Sequence, residues 1–445
     1  MDCSITLRQL TMIDPAKRTI ITLAAACVGI LIFIPSSPSN AGEFIITPQL
    51  TCGALGDSAA KQQEWENDAA LGKAAALNNL GFMYVMGCGV KQDAQRARKY
   101  FEQAADKGDA QAEHNLGYLY DRGVGVAQNS ALAFAWYTKA AAKGFAQSEL
   151  SLATMYQIGQ GIPKDPVKAA ELLRQAADQG LAAAQYQLGA AYDSGEGVGR
   201  DYAQAMLWYQ KGVAQNDPTA LAAIGYLYET GRGVPQDFTA AMHWYRAAAA
   251  IGSPIGENNL GGLYENGKGI APDAAQAAIW YAKAAAQGLP PANVNLGGLY
   301  ASGRGVSQDY RRATELFSIA AHSGDASGEF YLGVAYLTGK GVGQDYALAR
   351  YWLEKSSEQN NSLAQYDLGI VYLKGIGIEK NFDKAINSFE QSSTNGNSDA
   401  QTELGVIFEY GIGVKQDRSK AMTFYKMAAD SGNEKAKSAL KRLSD

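Results

Sequence analysis

The hydrophobic residues of this chain recur at the spacing of an α-helix, in blocks of nearly equal length. Within ALAAIGYLY (220–228) and FTAAMHWYRAAAA (238–250), apolar and small residues return every three to four positions, which is the period of a helix buried along one face. The segment ETGRGVPQD between the two blocks contains turn-forming glycines and a proline. The pattern therefore predicts two helices joined by a short loop, which is a helical hairpin.

This hairpin recurs along most of the chain. Steps of 36 residues from Gly81 reach a set of equivalent framework positions: Gly117, Ala153, Gly189, Gly225, Gly261, Gly297, Gly333, Gly369 and Gly405. Alanine stands sixteen residues after every one of the ten positions. A fixed period of this length is typical of a solenoid, in which each repeat buries its apolar face against its neighbours.

We therefore expect an all-α fold in which ten helix-turn-helix repeats occupy residues 73–432. Half of the pattern continues beyond each end of the array. It predicts a half-repeat cap helix at 57–72 and a C-terminal cap helix at 433–445. Charged residues on the terminal helix suit a cap that faces water.

The loop sequence LYETGRGVPQDF (227–238) invites comparison with a phosphate-binding loop, with Arg232 as its cation and Asp237 as a metal ligand. A phosphate-binding loop follows a strand, and no strand is predicted here. The glycines and Asp237 recur throughout the array, which favours hairpin geometry, with Asp237 as the N-cap of the second helix. Asn216 and Asn360 replace a helix-ending glycine, consistent with a left-handed backbone.

The first forty residues differ from the repeats. Lys17 and Arg18 precede an apolar run (19–34), and Ser39 and Ala41 then provide small residues at a cleavage site. This order predicts a signal peptide at 1–41, followed by an N-terminal segment at 42–56, and export to the periplasm or medium. An uncleaved membrane anchor is the alternative.

Export leaves Cys52 and Cys88, an even pair that suggests a disulfide at the start of the array. Because neighbouring helices pack about 8–10 Å apart, such a bridge requires the N-terminal segment to bend inward. The formal net charge is −5, which argues against a nucleic-acid partner. Three histidines argue against a histidine-rich metal site, and we expect neither metal nor cofactor.

The repeats resemble the Sel-1-like repeat family, relatives of the tetratricopeptide repeats. The pattern A..LG..Y..G.GV..D...A..WY..AA..G recurs throughout, as in GENNLGGLYENGKGIAPDAAQAAIWYAKAAAQG (256–288). The resemblance covers about 57–444 and implies a right-handed α-solenoid whose first helices line a concave groove. It also implies an adaptor or scaffold for protein complexes, in bacterial members for envelope assembly or host contact. Ala153 and the pair Leu172–Leu173 depart from the pattern.

Candidates for catalysis are sparse. His243 and His322 lack a recurring cysteine or serine partner, which favours structural or solvated roles. Ser58 and Lys61 form a Ser-x-x-Lys match of the kind found in penicillin-recognising enzymes. Cysteine-rich relatives have been described as penicillin-binding, so a hydrolase is the least favoured reading. We expect no enzyme activity, and Asp57 beside Ser58 fits a helix cap.

A partner would contact positions that the repeat leaves free. By analogy with tetratricopeptide geometry, the groove positions are the acids Asp121, Asp193, Glu229, Glu265 and Glu409, the polar side chains His114, Asn115, Asn258, Asn259 and Asn295, and the tyrosines Tyr118, Tyr186, Tyr226, Tyr331 and Tyr366. They suit an extended or helical protein segment with positive charge, or form only a solvated face. A module that handles envelope polysaccharide or peptidoglycan is the alternative, with Tyr118, Tyr226 and Tyr366 as aromatic platforms.

The loops carry a second line of charge. Arg232, Lys268, Arg304 and Lys340 occupy the same loop position in four consecutive repeats. This loop ridge suits an acidic partner or anionic lipid headgroups; the simpler reading is a solvated line that balances nearby aspartates.

Overall fold

The computed structural model describes residues 58–444. Within that range the secondary structure consists of 22 α-helices. Residues 1–57 lie outside it, and with them the predicted signal peptide, the N-terminal segment and Cys52. No helix within the described range is long and apolar enough to cross a membrane.

The chain divides into two compact units, with the division between Trp244 and Tyr245. We call residues 58–244 and 245–444 the first and second halves, and we call the two helices of each repeat the A helix and the B helix. The helices of the first half are α1 Ser58–Ala70, α2 Ala74–Met86, α3 Ala94–Asp106, α4 Ala110–Arg122, α5 Ser130–Ala141, α6 Ala146–Ile158, α7 Pro166–Asp178, α8 Ala182–Ser194, α9 Tyr202–Val213 and α10 Pro218–Thr230.

Helix α11, Phe238–Ala250, contains the division. The helices of the second half are α12 Pro254–Asn266, α13 Ala274–Ala286, α14 Pro290–Ser302, α15 Tyr310–His322, α16 Ala326–Thr338, α17 Tyr346–Glu358, α18 Ser362–Lys374, α19 Phe382–Thr394, α20 Ser398–Tyr410, α21 Arg418–Asp430 and α22 Glu434–Ser444. Even-numbered helices from α2 to α20 are A helices, and the odd-numbered helices that follow them are B helices. Within each half, the A helices pack on the B helices that follow them in an all-α fold of the solenoid class, as the sequence predicts.

The loop geometry confirms the hairpin interpretation of LYETGRGVPQDF. The Asp237 carboxylate accepts hydrogen bonds from the backbone N–H groups of Thr239 and Ala240, both at 2.9 Å, so it caps α11. Asn216 and Asn360 have φ of 58° and 61°, which is the left-handed conformation predicted for them.

Within each half, framework glycines lie where the A helix crosses an aromatic or leucine side chain of its B helix. A Cβ atom at Gly369 would lie 2.5 Å from the Phe389 ring. The exception, Ala153, belongs to a repeat in which this side chain is Leu173. A leucine does not always make room, because a Cβ atom at Gly333 would lie 2.9 Å from Leu353 Cγ. Glycine is therefore required for space wherever a ring lies beneath it.

Candidate interaction surface

The acidic positions of the A helices point into contacts between repeats. In the first half, Asp193 is 2% exposed, and the Arg232 guanidinium Nη1 donates to its Oδ1 at 3.1 Å. The same guanidinium lies 4.9 Å from the centre of the Tyr226 ring. Asp193 and Arg232 therefore form one internal ion pair that links two successive repeats.

Glu265 in the second half has the same arrangement. The Tyr281 hydroxyl donates to Glu265 Oε2 at 2.7 Å, and Arg304 from the next repeat pairs with Oε1. The Glu265 side chain is only 1% exposed. Both carboxylate oxygens are therefore occupied within the protein.

Glu409, in the last A helix of the array, has no following loop to supply its cation. The Tyr425 hydroxyl donates to Glu409 Oε2 at 2.7 Å, and Arg442 of α22 donates to both carboxylate oxygens at 2.7 Å. The terminal helix therefore substitutes for the missing loop, which gives the C-terminal cap a specific electrostatic role.

We define an inter-repeat pair as two residues that lie 39 positions apart in the sequence. The first is the fourth residue after one framework position, and the second is the seventh residue after the next framework position. Asp193–Arg232 and Glu265–Arg304 are such pairs, and Gln160 donates to Asp121 at 2.7 Å in a third. In other repeats both positions are apolar, as with Leu373 and Ile412, which pack against the hydrophobic core of the second half. Ionic, polar and apolar side chains thus occupy one structural position.

The residue type at the base of each repeat correlates with the presence of an acid on the A helix. In every repeat whose fourth residue after the framework position is an acid, the twentieth residue after that position is tyrosine: Tyr137, Tyr209, Tyr245, Tyr281 and Tyr425. The five repeats without the acid have Phe101, Leu173, Phe317, Leu353 and Phe389. In two of these repeats the tyrosine hydroxyl donates to the carboxylate, from Tyr281 to Glu265 and from Tyr425 to Glu409.

Burial sets the electrostatics of Asp193. Loss of solvation raises the pKa of its carboxyl, and the attraction of Arg232 opposes this without cancelling it. Because the Asp193 carboxylate depends on Arg232, it is poorly suited to release Arg232 and bind a cation from a partner protein.

Several predicted groove side chains join A helices to one another instead of facing solvent. His114 and Asn115 are both 0% exposed. Asn115 Nδ2 donates to Asn78 at 2.9 Å, and His114 Nδ1 lies 3.0 Å from the Ser148 hydroxyl. Tyr331 is also buried and stacks on Phe317. The expectation that these side chains line an open groove is corrected: neighbouring helices cover them.

The remaining predicted groove residues are half-buried, with side chains partly accessible to solvent. We call them the A-helix surface: Tyr118, Asp121, Tyr186, Tyr226 and Glu229 in the first half, and Asn258, Asn259, Asn295 and Tyr366 in the second half. Asn295 Nδ2 donates to Asn258 at 2.9 Å, so the amides also link neighbouring helices. The structure thus leaves a mainly aromatic and amide surface in place of an acidic one.

The loop ridge is likewise not a row of independent cations. Arg232 and Arg304 are half-buried in their ion pairs, and Lys268 is half-buried. Lys340 differs, because the inter-repeat position opposite it is Ala301. Its Nζ lies 5.1 Å from the Tyr310 ring centre.

Sequence reasoning missed a second polar series, near the turns between repeats. Buried glutamates accept hydrogen bonds from side chains 30 residues later: Glu113 from Lys143, Glu149 from Gln179, Glu257 from Gln287 and Glu329 from Gln359. Gln185 and Gln365 occupy the same position with neutral partners. The recurrence of Glu or Gln four residues before the framework position could have identified this series.

This series yields a prediction about pH. Loss of solvation raises the pKa of Glu149 in the folded protein, with the Gln179 hydrogen bond opposing it. The folded state therefore holds its proton more tightly than the unfolded chain, so this group makes stability fall as pH rises from the unfolded pKa, about 4.3, through the folded pKa. We expect Glu149→Gln to raise the melting temperature at pH 7 and to leave it nearly unchanged near pH 4.

The exposed Glu171, on α7, provides the matched control. Glu171→Gln should show no such pH-dependent gain in differential scanning calorimetry. A Glu149→Gln variant that is less stable than wild type at pH 7 would show that the buried charge contributes favourably.

The other candidates for chemistry lie apart. His243 and His322 are exposed on B helices, and Lys61 pairs with Glu64 at 2.8 Å. Across residues 58–444 no cluster of three or more His, Cys, Asp or Glu side chains has the arrangement of a metal site. Cys88 is 3% exposed; because Cys52 lies outside the described residues, their pairing stays a prediction.

These features define a helical-repeat scaffold, a class that generally mediates protein–protein interaction and is generally non-catalytic. The Sel1 repeat model matches the chain ten times, at 74–109, 110–145, 146–181, 182–217, 218–253, 254–289, 290–325, 326–361, 362–397 and 398–433. The chain therefore belongs to the Sel1 repeat family.

Two solved structures illustrate the likeness. A protective antigen present in uropathogenic Escherichia coli strains, which displays an SLR fold, is 30% identical over 86% of this chain and 90% of its own, with a TM-score of 0.50. A Sel1 repeat protein from Oxalobacter formigenes is 31% identical over 69% of this chain and 89% of its own, with a TM-score of 0.48. No curated protein matches the chain.

Proposed function

We propose that the protein is a non-enzymatic scaffold of the bacterial envelope or of the secreted fraction, and that it binds an extended segment of a partner protein on the A-helix surface. The observation that carries this proposal is that different side chains of the A helices have different contacts. Asp193, Glu265 and Glu409 form ion pairs within the protein, and two of the four loop-ridge cations take part in them, while tyrosines and amides at positions free of the repeat pattern stay partly accessible. Such side chains suit the contact of a peptide backbone and its apolar groups.

The location rests on two supports. The order of basic, apolar and small residues at 1–41 is that of a signal peptide. The similar protein from uropathogenic Escherichia coli is a protective antigen, which fits a location outside the cytoplasm. Roles in envelope assembly and in contact with a host both fit an exported scaffold.

The proposed partner segment differs in charge from the one that the sequence predicts. An acidic groove favours a positively charged segment, but Asp193, Glu265 and Glu409 are neutralised by Arg232, Arg304 and Arg442. The proposed partner segment is therefore selected mainly by shape, aromatic contact and backbone hydrogen bonds.

Site-specific photocrosslinking tests this proposal in the source bacterium. Benzoylphenylalanine replaces Tyr118, Tyr226 or Tyr366 in the full chain, and mass spectrometry identifies the crosslinked peptides. The matched controls are Leu207 and Tyr351, which are 44% and 48% exposed on B helices. We expect the same partner peptide to be captured from A-helix positions only; capture from the B-helix positions alone would overturn the proposed surface.

A further inference from the structure

One inter-repeat pair in the second half keeps its cation but lacks its acid. At the framework position Gly297 the fourth residue is Ala301, and the loop residue opposite is Lys340. The preceding ionic pair of this half has Glu265 and Arg304 at these two places. Consistent with the missing acid, the residue at the base of this repeat is Phe317 rather than tyrosine.

The missing side chain leaves space. A small pocket, open to solvent, lies at this point. Its lining includes Ala301, Phe317, Val334 and Ala335, with Lys340 among them. The pocket therefore has apolar walls and carries one positive charge.

The other polar groups of the lining are already engaged. The Thr338 hydroxyl donates to the Val334 carbonyl oxygen at 2.8 Å, and the Thr314 hydroxyl lies 2.9 Å from the Tyr310 carbonyl oxygen. Within the part of the chain that the structure describes, Lys340 Nζ has an aromatic ring as neighbour and forms no ion pair. A ligand group is therefore selected by the ammonium and by the apolar walls.

We propose that this pocket receives a glutamate side chain from a partner protein. The methylenes of that glutamate would contact Ala301, Phe317 and Val334, and its carboxylate would pair with Lys340 at the mouth. The partner thus supplies in trans what Glu265 supplies within the chain. This inference rests on the proposed scaffold function and adds to it an acidic anchor at one defined repeat.

The first test fills the pocket with a glutamate side chain of the protein itself. Ala301→Glu should raise the melting temperature, because the new carboxylate can pair with Lys340 as Glu265 pairs with Arg304. The gain should disappear in Ala301→Glu combined with Lys340→Met. An Ala301→Glu variant that is destabilised whether or not Lys340 is present would show that the pocket does not accept this side chain.

The second test supplies the glutamate in trans. A pentapeptide, acetyl-Gly-Gly-Glu-Gly-Gly-amide, is titrated into full-length protein carrying ¹³C-labelled alanine methyl groups. We expect shifts at Ala301, Ala313 and Ala335, no shifts with the glutamine version of the peptide, and affinity at least about tenfold weaker in Lys340→Met. Lys374→Met, at an exposed lysine of α18, should bind as wild type does.

The outcomes separate the two proposals. Absence of methyl shifts up to the solubility limit of the glutamate peptide would overturn the pocket proposal, whereas crosslinks from Tyr118, Tyr226 and Tyr366 test the scaffold proposal independently. If N-acetylglutamate alone shifts the same methyl groups as strongly as the peptide, the site binds a free carboxylate, and the assignment to a partner protein fails.

Discussion

Replacing Arg304 with methionine is expected to destabilise the protein by about 2 kcal/mol. Removal of one partner from a fully buried ion pair costs about 3–5 kcal/mol. The Arg304 side chain is 41% exposed, although Glu265 is 1% exposed, so water replaces part of the lost interaction.

Arg311→Met is the matched control for this measurement. Arg311 is 85% exposed and lies 3.5 Å from Glu315, so removal of the same charge from the surface should cost less than about 1 kcal/mol. Denaturant unfolding of both variants at pH 7 gives the comparison. Equal stability of the two variants would contradict the assignment of Glu265 to an internal pair.

Replacing Gly369 with alanine is expected to cost about 2 kcal/mol, within the range for overpacking a core. The new methyl group would lie 2.5 Å from the Phe389 ring, so helix α18 or the ring must shift. A second substitution, Phe389→Leu, reproduces the combination of Ala153 and Leu173 found in the third repeat. The double variant should therefore be more stable than the sum of the single effects predicts, by about 1 kcal/mol.

Gly262→Ala provides the control for helix propensity. The nearest atom to a Cβ at Gly262 is the Tyr281 hydroxyl oxygen at 3.7 Å, an ordinary contact, so alanine there should be neutral or stabilising by up to about 1 kcal/mol. Calorimetric melting temperatures of Gly369→Ala, Phe389→Leu, the double variant and Gly262→Ala show whether the Phe389 ring sets the cost of alanine. Additive effects of Gly369→Ala and Phe389→Leu would mean that the ring does not determine the need for glycine.

The repeat pattern predicted the helices well because the positions that define a hairpin are local. Asp237 must precede the N-terminus of α11 to cap it, and Asn216 and Asn360 stand where a left-handed residue is needed. These requirements involve residues near one another in sequence. A single repeat therefore displays them, and a period of 36 residues repeats them across the array.

Prediction was less successful for the candidate surface because accessibility depends on the next repeat. Asp193 is on the predicted groove face of its helix, but Arg232, 39 residues later, covers it. His114 and Asn115 are enclosed in the same way by neighbouring A helices. The occurrence of tyrosine with each acid was readable in the sequence, but it does not separate the buried acids from Asp121 and Glu229, which are half-buried.

The central claim is that Asp193, Glu265 and Glu409 are paired within the array and do not contact the partner. The triple variant Glu265→Leu, Tyr281→Phe, Arg304→Ile tests it most directly, since it reproduces Leu373, Phe389 and Ile412 of a natural apolar pair. The account predicts unfolding free energy within about 1 kcal/mol of wild type and unchanged crosslinks from Tyr366. A triple variant as unstable as Arg304→Met, or a folded one that loses those crosslinks, would contradict it.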